Sequence, residues 1–270
     1  MSVEATRGAV DSVALWYHTI DLGAGVVTPG WFDLRPIVDR MPWPDVRGRR
    51  CLDVGTYDGF LAFELERRGA AHVVALDIPD HRDWDWPPDQ RAHGGEHLAR
   101  LAGPEKGAGF AVAREALGSG VEKVDMSAYE LSPERVGTFD VVVCGSLLLH
   151  LRDPLRALEA IRGVCAGEFM SSEQVALGLS LAHPRRPLAT LDGSGPRLQW
   201  WVPNAAGHRR MLFSAGFEIL RHTGPYCEPF GPSHPARHPP LRALPRQFAQ
   251  RAVAGHAGVP HAAALSRPRV

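Results

Sequence analysis

The chain has 270 residues, of which 44% are hydrophobic and 22% are charged, and these proportions are ordinary for a folded globular protein. Its 30 lysines and arginines balance 30 acidic residues, so net charge does not direct it to nucleic acid or to an anionic membrane. The sequence contains neither a signal-peptide pattern at its start nor an apolar run of about 18 residues. Four scattered cysteines without a C-x-x-C pair indicate buried free thiols, and we therefore expect a cytoplasmic protein.

Residues 1–48 form an aromatic N-terminal segment ahead of the main motif. A short amphipathic helix is predicted around Val10, and a second helix is predicted over residues 31–41. Because the segment is too apolar for a disordered tail, we expect a lid over a cofactor or a wall of the substrate site. Packing against the sheet would explain its composition equally well. The candidate substrate contacts are Trp16, Tyr17 and Trp31.

Residues 49–77 predict a strand, a glycine turn, a helix and a second strand, which together make one right-handed βαβ unit. The turn over residues 55–59 contains Asp58, a candidate N-cap for the helix that follows. Gly69 follows the last helical residues as a C-cap, and the second strand ends at Asp77. The unit therefore places a glycine turn and a carboxylate at the same edge of the sheet.

That edge is suited to a nucleoside. A glycine turn lets the backbone approach a ligand, and a carboxylate at the tip of the second strand can accept hydrogen bonds from both hydroxyls of a ribose. The G-x-G-x-x-G dinucleotide fingerprint is absent, since Tyr57 stands where a second glycine often lies. Asp53 and Asp58 add negative charge that would repel a pyrophosphate. A sulfonium and an ammonium group are better guests, which favours S-adenosylmethionine over NAD.

The order D-x-G-x-x-D-G followed by an acidic strand end resembles motifs I and II of the class I S-adenosylmethionine-dependent methyltransferases. The resemblance implies an α/β fold, a Rossmann-like seven-stranded mostly parallel sheet with helices on both faces, in a domain over residues 49–228. A generic nucleotide-binding domain is the alternative. In this superfamily the turn after residues 121–125 faces the adenine. The candidate cofactor contacts are Asp53, Gly55, Thr56, Tyr57, Asp58, Gly59, Asp77, Ile78, Asp125, Met126, Ser127, Gly145 and Ser146.

The clearest buried strand is predicted over residues 139–146, and G-S-L-L-L-H-L-R-D-P follows from Gly145. This string, together with W-Y-H-T-I-D-L-G-A-G-V-V-T-P-G from Trp16, resembles the wobble-uridine tRNA carboxymethyltransferase group. The resemblance places His150 beside the methyl group, where an imidazole can accept a proton, and His18 is the second candidate. A histidine that only braces this loop is the alternative reading.

The sequence differs from this group at the two positions that contact the extra carboxylate of the carboxylated cofactor. Members using that cofactor contact its extra carboxylate with a lysine in the N-terminal segment and a tyrosine before the histidine. Leu149 occupies the tyrosine position here, and residues 28–30 offer no lysine. A buried carboxylate without a partner costs several kcal/mol. We therefore expect ordinary S-adenosylmethionine as the cofactor.

A metal site is not expected. His93 to His97 match the H-x-x-E-H pattern of zinc peptidases, which requires a helix to bring both imidazoles to one face. Gly94 and Gly95 inside the pattern weaken such a helix by about 1 kcal/mol each.

The C-terminal third predicts further strands and then a change in composition. Trp200 and Trp201 lie in an extended stretch and are candidate substrate contacts, although core packing explains them equally well. Residues 217–220 are predicted as the last strand. The final forty residues contain seven prolines, six arginines and no acidic residue, so residues 229–270 are predicted to be a disordered tail.

These observations favour a methyltransferase that acts on a hydroxyl or amine of a small molecule, such as a specialised metabolite. The second hypothesis is an RNA-modifying methyltransferase whose arginine-rich tail contacts phosphates. The third is a cofactor-binding module without catalysis, because Tyr57 crowds the glycine turn. The oligomeric state does not follow from the sequence.

Overall fold

The computed structural model describes residues 1–103, 106–195, 198–237 and 244–269. The strands are β1 Arg50–Val54, β2 His72–Asp77, β3 Glu122–Asp125, β4 Phe139–Gly145, β5 Cys165–Gln174, β6 Ala189–Leu191, β7 Trp201–Pro203, β8 Phe217–His222, β9 Tyr226–Pro229 and β10 Gly258–Pro268. The helices are α1 Val3–Ser12, α2 Phe60–Arg67, α3 Pro88–Arg91, α4 Gly95–Ala102, α5 Ala108–Leu117, α6 Pro133–Val136, α7 Pro154–Val164, α8 Leu177–Ala182, α9 Ala205–Ser214 and α10 Leu244–Ala254.

Within the described residues, eight strands form the main sheet, in the order β3-β2-β1-β4-β5-β10-β8 with β9 beside β10. The pairs from β3 to β5 are parallel, and β10 is antiparallel to its neighbours. β1 and β4 are apolar for most of their length because both of their faces are covered. The predicted α/β fold with a mainly parallel sheet is confirmed.

Helices cover both faces of the sheet. One core contains residues of α2, α5 and the N-terminal segment, with Phe63, Phe110 and Ile37 among its buried side chains. The other core contains residues of α7 and α9, including Ile161 and Leu212. Short helices of 3₁₀ type add turns at Val38–Arg40, His81–Asp83, Ala128–Glu130, Leu148–His150 and Pro235–Arg237. No helix of the described part is long and apolar enough to cross a membrane.

The predicted disordered tail is wrong for residues 258–268. These residues form β10, which pairs with β5 on one side and with β8 and β9 on the other. Ala262, Ala263, Ala264 and Leu265 are all at most 2% exposed. The averaged composition of the segment is rich in proline and arginine, and it concealed this short apolar run. β8 is consequently not the last strand.

The N-terminal segment has little regular structure after α1. The helix predicted over residues 31–41 is wrong, because only the short turn Val38–Arg40 forms there. Isolated bridges join His18 to Phe32 and Phe32 to Phe230. Gly30 makes this possible, since a Cβ at that position would lie 2.1 Å from the carbonyl carbon of His18. The segment is therefore tied to the chain that follows β9.

Candidate active site

The carboxyl ends of β1, β2 and β4 open into a cavity of about 860 Å³. This is the edge at which parallel α/β sheets bind ligands. The predicted site residues that line the cavity are Tyr17, His18, Trp31, Gly55, Tyr57, Asp77, Ile78, Met126, Ser127, Gly145, Ser146 and His150. Most of the predicted cofactor residues and both candidate proton acceptors therefore lie around one cavity at this edge of the sheet, and their roles stay predictions.

The glycine turn lies against this cavity. Gly55 has a φ of +81°, and both its N–H and that of Thr56 donate to the carbonyl of Leu76. Tyr57 has a φ of +50°, which is uncommon for a residue with a side chain. Its N–H donates to Asp77 Oδ2 at 2.8 Å, and this bond helps to hold the unusual backbone. The turn thus links the ends of β1 and β2.

Asp77 is the buried carboxylate at the tip of β2. Besides Tyr57 it accepts hydrogen bonds from the N–H of Ile78 and from Lys106 Nζ, each at 2.8 Å. The Lys106 ammonium also lies over the rings of Tyr57 and Trp84. Lys106 is not among the predicted site residues, because the carboxylate that it pairs with lies 29 residues away in the sequence.

Asp53 lies below the turn and is 1% exposed. Its Oδ2 meets no donor at full hydrogen-bond geometry among the described residues, although the Thr56 hydroxyl lies close enough to the carboxylate to lower its pKa. Burial raises the pKa of Asp53 to about 7, because the carboxylate is removed from water. An unpaired buried carboxyl oxygen is costly unless a ligand supplies a donor or a positive charge.

Asp58 does not cap the helix as predicted. Gly59 holds the N-cap position of α2 with a φ of +94° and no side-chain bond. The Asp58 carboxylate instead accepts the N–H groups of Tyr17 and His18 at 2.9 and 2.7 Å and lies 2.5 Å from His18 Nδ1. It therefore anchors the N-terminal segment to the glycine turn. With Nδ1–H directed at Asp58, the Nε2 of His18 is the ring nitrogen that can accept a proton.

His150 is oriented by a backbone carbonyl. Its Nδ1 lies 2.6 Å from the carbonyl oxygen of Leu198, an arrangement in which Nδ1–H donates and Nε2 carries the lone pair. Burial lowers the pKa of His150. The side chain is consequently neutral near pH 7 and can accept a proton from a group in the cavity.

Some predicted site residues do not reach the cavity wall. Trp16 is 2% exposed and its indole N–H donates to the carbonyl of Val10, so it is a core residue. Trp200 and Trp201 donate their indole N–H groups to the carbonyls of Asp85 and Arg152. These bonds brace the loops beside the cavity. The remaining residues outside the wall are Asp53, Thr56, Asp58, Gly59 and Asp125.

A buried polar network behind the wall was missed from the sequence. Ser146 Oγ lies 2.8 Å from His261 Nε2, and Glu228 Oε2 lies 3.4 Å from the same nitrogen. Glu173 accepts the N–H of Leu148 at 3.0 Å. Burial raises the pKa of both glutamates to about 8 and lowers that of His261 to about 4. The network could not be predicted because it joins β4, β5, β9 and β10.

The observed groups fit S-adenosylmethionine. Asp77 lines the cavity and can accept hydrogen bonds from ribose hydroxyls. Gly55 and Gly145, which lack side chains, line the same cavity. The fold and this site define a class I methyltransferase domain.

Comparison with known proteins agrees with this class. A family model described as a methyltransferase domain matches residues 33–222, and the chain belongs to that family. It contains an S-adenosylmethionine-dependent methyltransferase domain. The ubiquinone biosynthesis O-methyltransferase of Hahella chejuensis (strain KCTC 2396) is 32% identical over 116 residues, 42% of this chain and 37% of that protein. The match thus spans little more than a third of the relative's length.

Two solved structures resemble the whole fold. The 1,6-didemethyltoxoflavin-N1-methyltransferase of Burkholderia thailandensis, with bound 1,6-didemethyltoxoflavin and S-adenosylhomocysteine, has a TM-score of 0.53 at 16% identity, covering 88% of this chain and 78% of that chain. The [4+2]-cyclase SpnF has a TM-score of 0.54 at 20% identity, covering 99% and 93%. At these identities the likeness establishes the fold alone.

The strand-end carboxylates Asp77 and Asp125 provide a matched pair for testing cofactor binding. They are register partners on β2 and β3, but Asp77 lines the cavity while Asp125 is exposed and pairs with Lys123. We expect Asp77→Asn to weaken binding of S-adenosylhomocysteine by about 10- to 100-fold, since charged hydrogen bonds to the ribose are lost. Asp125→Asn should leave the affinity unchanged. Isothermal titration calorimetry measures both, and equal losses would contradict the assignment.

Proposed function

We propose that this methyltransferase transfers a methyl group to a hydroxyl of a small molecule, with an amine as the alternative acceptor. The main support is the size and continuity of the cavity, which extends from Asp77 past Ser146 to Phe230 and Val259. Its volume of about 860 Å³ lies near the upper end of the range for ligand pockets, about 300–1,000 Å³. This volume accommodates an acceptor beside the cofactor. The curated relative is itself named as an O-methyltransferase.

When bound, S-adenosylmethionine supplies an electrophilic methyl group on a sulfonium. The protein's own task is to position the acceptor oxygen and to receive its proton. His150 is our candidate for the proton acceptor, because it lines the cavity as a neutral imidazole with Nδ1–H fixed by Leu198. The proton would move from the acceptor hydroxyl to Nε2 of His150.

His18 is the second candidate for the same role. It also lines the cavity, and its Nδ1 is directed at Asp58, which would stabilise a protonated ring. Its backbone holds the N-terminal segment, so its side chain also contributes to packing against Phe60. We rank it below His150 because its substitution would disturb the segment as well as the chemistry.

His150→Ala should lower kcat by at least about 100-fold while the affinity for S-adenosylhomocysteine stays within about twofold. Loss of a proton acceptor slows the chemical step, whereas cofactor contacts elsewhere are intact. Turnover is measured by formation of S-adenosylhomocysteine with an accepted substrate. His72→Ala is the control, since His72 lies at the opposite end of β2 and pairs with Glu122. Unchanged kcat in His150→Ala would remove this residue from the mechanism.

The RNA-modifying alternative rests on basic loops and on the basic C-terminal segment, of which residues 258–268 belong to the sheet rather than to a free tail. Calorimetry with S-adenosylmethionine and S-adenosylhomocysteine tests cofactor binding, and the non-catalytic alternative then predicts binding without any turnover to S-adenosylhomocysteine. Failure to bind either compound would contradict the proposed function. Methylation of tRNA in preference to small molecules would support the RNA-modifying function instead.

A further inference from the structure

The lining of the cavity changes character along its length. Asp77, Asp83, Asp85 and Lys106 are the acidic and basic side chains, apart from histidines, that line it in the described part of the chain. All four lie at the end of the cavity next to Asp77, which we call the cofactor end. Lys106 pairs with Asp77 and lies over Trp84, and Trp84 stands between Asp83 and Asp85 in the sequence. The opposite end lies between the N-terminal segment, α10 and the start of β10.

Rings form one wall of that opposite end. Phe230 and His234 stack with centroids 4.2 Å apart and an interplanar angle of 27°, and Trp31 meets His234 edge-on at 5.9 Å. Desolvation lowers the pKa of His234, so the imidazole is neutral near pH 7 and adds no positive charge. Aromatic faces of this kind stack on flat ligands.

Uncharged side-chain amides supply polarity at this end. Gln250 on α10 lines the cavity, is 6% exposed and has no hydrogen-bond partner among the described residues. Gln174 at the end of β5 also lines it, is half-buried and has no side-chain partner within the same ranges. Gln247 lines it too, but its amide donates to the carbonyl of Ala236. The amides of Gln174 and Gln250 are therefore the ones that can bind a polar group on a ligand.

We infer that this end of the cavity binds the methyl acceptor, and that the acceptor is an uncharged molecule with a planar ring whose polar substituents bind Gln174 and Gln250. A carboxylate or phosphate placed there would meet no cation among the described side chains that line this end, and would lose its hydration without compensation. The buried Glu173 and Glu228 behind Ser146 would repel an anion further whenever they are ionised. The inference rests on the proposed function and names the substrate class of that site.

The test uses matched ring compounds that differ in one charge. Methyl esters of hydroxybenzoic and hydroxycinnamic acids are compared with the corresponding carboxylates, and binding to the full chain saturated with S-adenosylhomocysteine is followed by tryptophan fluorescence. We expect the esters to bind at least about 10-fold more tightly than their carboxylates. Equal or tighter binding of the carboxylates, or binding of no uncharged member of the panel, would overturn the inference. This readout needs no turnover, so it is separate from failure of methyl transfer.

A charge placed at Gln250 gives a second, independent measurement. Gln250→Lys should reverse the preference, so that the carboxylates gain at least about 10-fold relative to the esters. Phe248→Lys is the matched control, because Phe248 lies on the same helix but is 76% exposed. It adds the same charge outside the cavity and should leave the preference unchanged. Identical preferences in the two variants and the parent protein would show that the acceptor binds elsewhere.

Discussion

A chain truncated before residue 229 is expected to remain unfolded, although composition alone marked residues 229–270 as a removable tail. The deletion removes β10 and leaves the edges of β5, β8 and β9 that it pairs with open. It also exposes the faces that Ala263 and Leu265 cover in one core and Ala264 in the other. We expect the stabilising free energy lost with this interior strand to exceed the whole stability of a typical domain, about 5–15 kcal/mol. Far-UV circular dichroism and a thermal melt would detect the loss.

A point variant separates the role of the strand from the effect of shortening the chain. Leu265→Ala should lower the free energy of unfolding by about 2–5 kcal/mol, since Leu265 is 1% exposed. Arg267→Ala on the same strand should cost at most about 1 kcal/mol, because Arg267 forms an exposed pair with Glu218. Urea unfolding measures both. A folded, cooperative truncated protein or equal effects of the two variants would contradict the central position of β10.

The sequence predicted the parts of the fold in which local pattern and tertiary role coincide. β1, α2 and β2 carry an apolar strand, a glycine turn and an amphipathic helix in succession, and each signal is local. β10 was missed because its apolar run is short and follows a segment dominated by proline and arginine. Its stability comes from pairing with strands that are distant in the chain. Ala263, for example, lies opposite Ser172 of β5.

In the candidate site, too, the residues with local sequence signals were predictable and those with long-range partners were not. Asp77 was predicted from its place at the end of a strand; it does line the cavity, and its role toward a cofactor stays a prediction. The roles of Asp58 and Lys106 were not accessible, because each depends on a long-range partner: His18 for the first and Asp77 for the second. The network of Ser146, His261 and Glu228 depended on β10, so missing that strand also hid the network. The resemblance to the wobble-uridine group stays a prediction.

The same network predicts an unusual dependence of stability on pH. Glu228 is 3% exposed, and burial followed by the nearby Glu173 raises its pKa to about 8. A carboxyl with a raised folded-state pKa contributes stability that is complete below its unfolded value, about 4.5, and is lost as pH rises through about 8. His261 acts in the opposite direction, because its pKa is lowered to about 4 and its contribution is lost as pH falls from about 6.5.

Glu228→Gln should therefore change stability in one direction only. At pH 5.5 Glu228 is neutral in the folded protein, but in the unfolded chain, with a pKa of about 4.5, it is already mostly ionised, so the variant should be more stable by only about 1–2 kcal/mol. At pH 9 the parent protein must bury the charge, and the variant should be more stable by about 2–5 kcal/mol, the upper value corresponding to the full pKa shift. Urea unfolding at the two pH values measures the difference.

Glu218→Gln is the matched control, since Glu218 is half exposed and paired with Arg267 at the edge of the sheet. Its effect should be small at both pH values because solvent screens the pair. An equal effect of Glu228→Gln at pH 5.5 and pH 9 would mean that Glu228 is ionised in the folded protein throughout. His261 would then be its charged partner, and Ser146 could no longer donate its hydroxyl hydrogen to the ring.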